Sequence, residues 1–101
     1  MAIYIQIEKI FEREDVGFYH VFTKDFGGAD FYVGFNKQEK KIYCSFVKDF
    51  SEIVRVIDFN DPNERIGNLP GVDSGIISKI IRQALKIFEL NEFPEGLDYC
   101  A

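Results

Sequence analysis

The chain has 101 residues, of which 47% are apolar and 16% aromatic, so it can form one domain around its own core and is not a disordered chain. Its net charge of −5 argues against a general nucleic-acid binder and against binding to an anionic membrane surface, and it suits a soluble protein or one with a basic partner. No apolar run approaches the length of a membrane span. Apolar and polar residues alternate over residues 1–9 and charged residues follow, unlike a signal peptide, so we predict a cytoplasmic protein. From the chain length we predict a single domain over residues 1–101.

Five stretches before residue 60 show the apolar–polar alternation or the β-branched composition that is typical of strands. Charged or glycine-containing connections of a few residues separate them. Short connections join antiparallel neighbours, because parallel pairing needs a long crossover, so the sequence predicts a five-stranded antiparallel meander. The predicted strands cover residues 3–7, 18–24, 31–35, 42–46 and 53–59.

One long amphipathic stretch, residues 72–91, follows the strands and predicts a C-terminal helix. Its apolar residues recur at the helical period and form one broad stripe. Asp73 or Ser74 can cap its start, Val72 and Ile77 fit a hydrophobic staple, and Asn91 can take the left-handed conformation that ends a helix. A stripe this wide needs a large apolar partner surface, so we predict an α+β fold with the helix packed on one face of the sheet.

The opposite sheet face cannot be covered by the same helix. If the alternation holds, that face is rich in tyrosine and is half-exposed, covered by the tail, or used in association. The residues predicted on it are Tyr4, Tyr19, Val21, Tyr32, Tyr43, Val54 and Val56.

Seven residues in and just after the second and third predicted strands have a counterpart of the same type 24 positions later. One interpretation is a repeated β-hairpin, and the alternative is coincidence in a phenylalanine-rich chain. A repeat would make the second and fourth strands run in the same direction and leave the sheet at the same end. The pairs are Tyr19/Tyr43, Phe22/Phe46, Lys24/Lys48, Asp25/Asp49, Phe26/Phe50, Phe35/Phe59 and Asn36/Asn60.

In such a meander the second and fourth strands and the C-terminus of the helix can all finish at one end. That end would collect many acidic residues, several of them directly before an aromatic residue, as in Asp25-Phe26 and Glu92-Phe93. Aromatic side chains anchor interfaces and surrounding carboxylates steer a cationic partner, although the aromatics could instead point inward. The predicted partner-binding residues are Asp25, Asp30, Asp49, Glu52, Glu92, Phe93, Glu95, Asp98 and Tyr99.

No residue pattern indicates a catalytic site, a metal site or a cofactor. His20 is the one histidine and lies in a predicted strand, where a structural role is the ordinary one. Cys44 lies on an alternating strand, as expected of a cysteine packed in the core, and Cys100 is the next-to-last residue. Two free thiols fit a reducing compartment, and a disulfide between them is the alternative. The carboxylates of Asp58, Asp61 and Glu64 miss the spacing of a calcium loop.

The size, the acidity, the strand-rich body with a final helix, and the acidic-aromatic tail of residues 91–99 resemble the small acidic immunity proteins of bacterial toxin–immunity pairs. The resemblance implies a stoichiometric inhibitor that covers the active surface of a basic, nuclease-like toxin domain. We therefore expect a non-enzymatic binding protein with a basic protein partner.

Two other hypotheses remain open from the sequence. One is a small-ligand-binding or enzymatic domain with a cleft near His20, formed between the sheet and the glycine- and proline-containing segment 60–71. The other is a structural homodimer joined through the tyrosine-bearing sheet face.

Overall fold

The computed structural model describes residues 4–25, 27–61 and 69–100. It contains one antiparallel sheet with the strand order β5-β4-β3-β2-β1-β6 and one helix, which confirms the predicted α+β class and the five-strand meander. The sixth strand, β6, is a short addition from the C-terminal tail. The elements are β1 (Tyr4–Arg13), β2 (Val16–Thr23), β3 (Ala29–Asn36), β4 (Lys41–Ser45), β5 (Ile53–Asp58), α1 (Ser74–Leu90) and β6 (Tyr99–Cys100).

The helix α1 begins and ends at the predicted residues. The side chain of Asp73 accepts a hydrogen bond from the backbone N–H of Gly75 at 2.7 Å, which satisfies one of the unpaired donors of the first turn. Asn91 takes the left-handed conformation, with φ 58°, and its N–H donates to the carbonyl of Ile87. Both caps are local, so the short sequence around each is sufficient to specify them.

The core lies between one face of the sheet and the apolar stripe of α1. Ile76, Ile80 and Ile87 of the helix are at most 1% exposed, and they face fully buried side chains of the strands such as Phe31 and Val33. Each such side chain contributes about 1.5–3 kcal/mol on burial. The helix therefore depends on the sheet for most of its stability.

Strand β2 presents the opposite face from the one predicted. Tyr19 and Val21 are fully buried in the core, because Tyr19 pairs with Val33 and shares its face. The hydroxyl of Tyr19 donates to the carbonyl of Pro94, so the polar end of the buried ring is satisfied. The prediction that Tyr19 and Val21 lie on the tyrosine-bearing face is wrong; Tyr32 and Tyr43 do lie there.

The same register removes the structural basis for a 24-residue repeat. Val33 pairs with Tyr19 on one side and with Cys44 on the other, so Tyr19 corresponds to Cys44 and not to Tyr43. Tyr19 is fully buried, whereas Tyr43 is half-exposed on the other face. Strands β2 and β4 nevertheless run in the same direction, since each is antiparallel to β3.

The C-terminal tail runs back along the outer edge of β1. The N–H of Leu97 donates to the carbonyl of Ile7 at 2.8 Å, and the N–H of Lys9 donates to the carbonyl of Glu95 at 2.9 Å. Phe93 is 6% exposed and fills the space above Gly17, where an added Cβ would lie 2.4 Å from the Phe93 ring. The tail thereby closes one edge of the sheet.

The C-terminus of α1 lies at the end of the sheet where β5 finishes, not where β2 and β4 finish. The N–H of Phe59, just after β5, donates to the carbonyl of Lys40 at 2.9 Å, and the Lys40 ammonium lies 5.1 Å from the ring of Phe88 near the end of α1. Lys37 Nζ donates to the carbonyl of Asn91 at 3.2 Å. The expectation that the helix C-terminus joins the ends of the second and fourth strands is therefore wrong, since α1 runs in the same direction as β5.

We expect Ile80→Asp to destabilise the fold by about 4 kcal/mol, because it places an unpaired carboxylate in the core, and to lower Tm by roughly 20 °C. Leu85→Asp is the matched control, since Leu85 is 50% exposed on the same helix and should change stability by less than about 0.5 kcal/mol. Thermal unfolding followed by circular dichroism measures both. Equal melting temperatures for the two variants would contradict the burial of this helix face.

We expect Gly17→Ala to cost about 1–3 kcal/mol, because its methyl group would overlap the ring of Phe93. In a Phe93→Ala background the same change should cost much less, since the ring is gone. Urea unfolding of the four proteins of this double-mutant cycle measures the coupling. Additive effects would show that Phe93 does not pack on Gly17.

Candidate partner-binding surfaces

The sheet face opposite α1, here called the open face, carries cross-strand rows that the register defines. One row runs Phe11, Phe18, Gly34, Tyr43 and Val56 across the five long strands. Phe11 stacks on Phe18 with ring centroids 4.5 Å apart, and Phe50 from the β4–β5 loop packs edge-on against Phe18 at 5.0 Å. We call these six residues the aromatic belt.

A second surface lies where β1 begins and β2 ends. A cleft of about 280 Å³ opens there between Tyr4, Gln6 and Phe22, with Thr23, Lys24 and Asp25 completing its wall. Tyr4 is 48% exposed and Phe22 36% exposed, so two aromatic rings face solvent beside each other. We call this the acidic cleft because of the carboxylates around it.

Two carboxylates beside the acidic cleft are held by specific contacts, and a third, Asp30, is placed next to it by the strand register. Asp25 Oδ2 accepts from the backbone N–H of Tyr4 at 2.9 Å, and Asp98 accepts from the N–H of Ile7 at 2.8 Å through Oδ1 and from the Tyr4 hydroxyl through Oδ2. Asp30 pairs with Phe22 across β2 and β3. The tail thus supplies Asp98 to a site formed by two distant parts of the chain.

The structure divides the predicted partner-binding residues between several places. Asp25, Asp30 and Asp98 surround the acidic cleft. Asp49 and Glu52 lie in the β4–β5 loop at the same end of the sheet, since β2 and β4 run in the same direction. There the N–H of Ser51 donates to Asp49 at 2.9 Å, and this hydrogen bond lowers the pKa of the Asp49 carboxyl.

The tail residues of the predicted set lie elsewhere. Glu92 follows the helix C-terminus at the opposite end, Phe93 is buried on Gly17, and Glu95 Oε1 lies 3.2 Å from Lys9 Nζ. Hydrogen bonds to Glu12 and Glu95 raise the pKa of Lys9. Tyr99, in β6, pairs with Ile5 of β1. Phe93 therefore anchors the tail to its own chain, and the expected convergence of the whole set at one end is not formed.

His20 lies on the open face, at the side of a depression of about 170 Å³ that also contacts Glu8 and Lys48. Its ring stacks on Tyr32 at 4.9 Å, and its Nε2 lies 2.6 Å from Asp30 Oδ1. Leu69 is buried in the core on the helix side of the sheet. Leu69 and His20 therefore lie on opposite sides of the sheet, and most of the segment predicted to form a cleft near His20, residues 62–68, lies outside the described residues.

In the described part of the chain, no three side chains from histidine, cysteine, aspartate and glutamate lie close enough together to hold a metal ion. Of the three carboxylates weighed as cation ligands, Glu64 falls outside the described residues. Asp58 Oδ1 instead accepts from the N–H of Asn60 at 2.9 Å, an ordinary turn contact.

The sequence interpretation misses Phe22 as a surface residue and Gly17 as a contact. Period-two alternation places Phe22 on the same face of its strand as His20. The prediction assigns that face to the core, whereas in the structure it is the open face. Gly17 carries no readable signal, since a glycine at the start of a strand usually marks only a turn.

No protein-family model matches the chain, and no curated protein or solved structure shows significant similarity to it. Within residues 4–25, 27–61 and 69–100, no helix is long and apolar enough to cross a membrane.

Cys44 is a free thiol, 1% exposed, and burial raises its pKa to about 12. We expect no reaction of Cys44 with Ellman's reagent in the folded Cys100→Ser variant near neutral pH, because the reactive thiolate is absent and access is closed. One thiol per chain should react in denaturant. Because the pKa of the Cys44 thiol is raised in the folded protein, its contribution to the free energy of unfolding is present at neutral pH and is lost as the pH rises toward about 12. Rapid labelling of the folded protein would contradict the burial of Cys44.

Proposed function

We propose that the chain is a non-enzymatic binding protein that neutralises a basic, nuclease-like toxin domain by masking its active surface. The acidic cleft is the observation that carries this proposal. Its exposed aromatic rings and fixed carboxylates have the composition of a site for an arginine or lysine side chain of a partner.

The arrangement of the cleft favours a cation for two physical reasons. An aromatic face attracts a cation by about 0.5–1 kcal/mol at an exposed site, and Tyr4 and Phe22 both offer exposed rings. The carboxylates of Asp25 and Asp98 are held by backbone N–H groups, so less side-chain entropy is lost when a cation binds.

Charge at longer range supports the same kind of partner. The net charge of −5, together with Asp49 and Glu52 at the same end, would speed encounter with a basic protein. Lys24 also lines the cleft and opposes a cation, so it should limit the affinity. The resemblance in size and charge to immunity proteins gives the toxin domain as the form of that partner.

The first test is rescue from toxicity. Each adjoining gene is first expressed alone to find one whose product is toxic. This chain is then co-expressed with it, and growth is compared with and without a Phe22→Ala substitution, which removes one ring of the cleft. Rescue by the unmodified protein and loss of rescue by the variant support the proposal. Growth that is independent of this chain, or an acidic cognate partner, would overturn it.

We expect Asp30→Asn to slow association with the basic partner about twofold at low salt, because it removes one charge beside the cleft while an amide oxygen can still accept from His20. Glu89→Gln is the matched control, with the same charge change on exposed helix surface away from the cleft. Lys24→Glu should have the opposite effect and speed association. Stopped-flow binding across a salt series measures all three.

The salt series separates steering from fold damage. Since salt screens charges over about 8–10 Å, the three proteins should approach one association rate at high salt. If Asp30→Asn and Glu89→Gln slowed association equally at low salt, the acidic cleft would not be the binding surface.

A further inference from the structure

The aromatic belt is a second surface, separate from the acidic cleft, and it is largely apolar. Phe11 is 47% exposed and Val56 38% exposed, and Ile53 and Val54 beside them are 49% and 37% exposed. A depression of about 240 Å³ opens along the belt, with wholly apolar walls formed by Val16, Phe18, Tyr43, Phe50 and Ile53. A contiguous apolar patch of this kind on a small domain marks an interaction surface.

The row beside the belt carries charges of opposite sign at its two ends. This row runs Arg13, Val16, Asn36, Lys41 and Asp58 across the same five strands. Arg13 lies on β1 and Asp58 on β5, with Asn36 of the central strand β3 between them. The row is therefore self-complementary when it is reversed.

A two-fold axis parallel to β3 would produce that reversal between two copies of the chain. It would place β1 of one copy over β5 of the other, so that Arg13 faces Asp58 of the second copy twice. In the belt, Phe11 would face Val56 and Phe18 would face Tyr43. The ring of Phe18 lies over Gly34 of its own chain, so the two Phe18 rings would stand on either side of the axis. Such an isologous contact is the commonest way in which identical chains associate.

We propose that the aromatic belt and the row beside it form the interface of a weak homodimer. A basic partner fits this surface poorly, because Arg13 and Lys41 lie at its rim. The acidic cleft lies at the other end of the strands, outside the two rows of the proposed contact. Self-association is thus an additional property, and it does not depend on the proposed toxin-neutralising function.

The size of the surface sets the expected strength. In the next row the β4–β5 loop covers Ser45, which is fully buried and bonded to the carbonyls of Val47 and Glu52, so the proposed contact consists of the belt and the one row beside it. Five strands by two rows span roughly 24 Å by 14 Å. That footprint is smaller than the roughly 800 Å² per partner of a standard interface, so the dimer should be concentration-dependent.

The deciding experiment mixes two charge-reversed proteins. Arg13→Glu alone would set two carboxylates against each other at both contacts, and Asp58→Lys alone would set two cations against each other there, so each variant should be monomeric. A one-to-one mixture of the two variants should dimerise. At one contact the two substituted side chains, a glutamate and a lysine, face each other. At the other contact the original Asp58 of one chain faces the original Arg13 of the other, so both contacts join opposite charges. Within one chain Arg13 and Asp58 are about 19 Å apart across the sheet, so rescue can arise only between copies.

Sedimentation equilibrium between about 10 μM and about 1 mM measures the association. The control pair is Arg82→Glu and Glu89→Lys, which makes charge reversals of the same two signs on α1 and should leave self-association unchanged. Phe11→Ser should weaken the dimer at least tenfold, whereas Leu85→Ser, at a residue 50% exposed on α1, should not. Circular dichroism confirms that each variant is folded.

An unmodified protein that stays monomeric up to about 1 mM would overturn the proposal and leave the belt to a different partner. A mixture that stays monomeric, or charge-reversed variants that dimerise like the unmodified protein, would overturn the two-fold arrangement. Toxin neutralisation by the Arg13→Glu protein is measured in parallel and should be retained. Its loss in a folded monomer would instead count against placing the partner at the acidic cleft.

Discussion

The packing of one amphipathic helix on one face of a five-stranded sheet is the constraint on which the rest of the structure depends. The stripe of α1 and the strand residues it faces are almost fully buried, and this contact supplies most of the apolar burial of the fold. One helix covers one face. The aromatic side chains of the other face, such as Phe11 and Tyr43, therefore remain near solvent, and they give the chain its apolar surface.

The C-terminal tail solves a second problem, the unpaired edge of β1. It does so with side chains as well as backbone: Phe93 fills the space above Gly17, and Gln83 Nε2 of α1 donates to the carbonyl of Leu97 at 2.8 Å. Exposed edges invite pairing with other chains, so an edge covered by the chain's own tail favours specific surfaces over edge-to-edge association. The tail also brings Asp98 to Tyr4, which joins the stability of the edge to the geometry of the acidic cleft.

The two surfaces differ in the physical basis of recognition. In the acidic cleft, carboxylates fixed by backbone N–H groups flank two rings, so in the proposed complex charge would set the choice of partner and the association rate. In the belt, apolar contact would provide most of the affinity, and Arg13 and Asp58 would set the orientation. Their separation along the strands would allow the proposed dimer and the proposed partner complex to exist together.

The sequence by itself determined the elements and the fold class. The long stripe of α1, its caps at Asp73 and Asn91, and the short connections that require antiparallel neighbours are local patterns with local physical causes. Tyr4, as an exposed residue of the sheet face away from the helix, could also be predicted from alternation.

Only the tertiary structure decided which face each strand presents and which distant residues meet. A shift of one residue reverses both faces of a strand, so the burial of Tyr19 followed from its pairing with Val33 and not from its own neighbours in sequence. The direction of α1 relative to the strands is a property of the tertiary packing, which short-range patterns do not encode. The acidic cleft arose because the tail returns along β1 and sets Asp98 beside Tyr4, a contact between residues 94 positions apart.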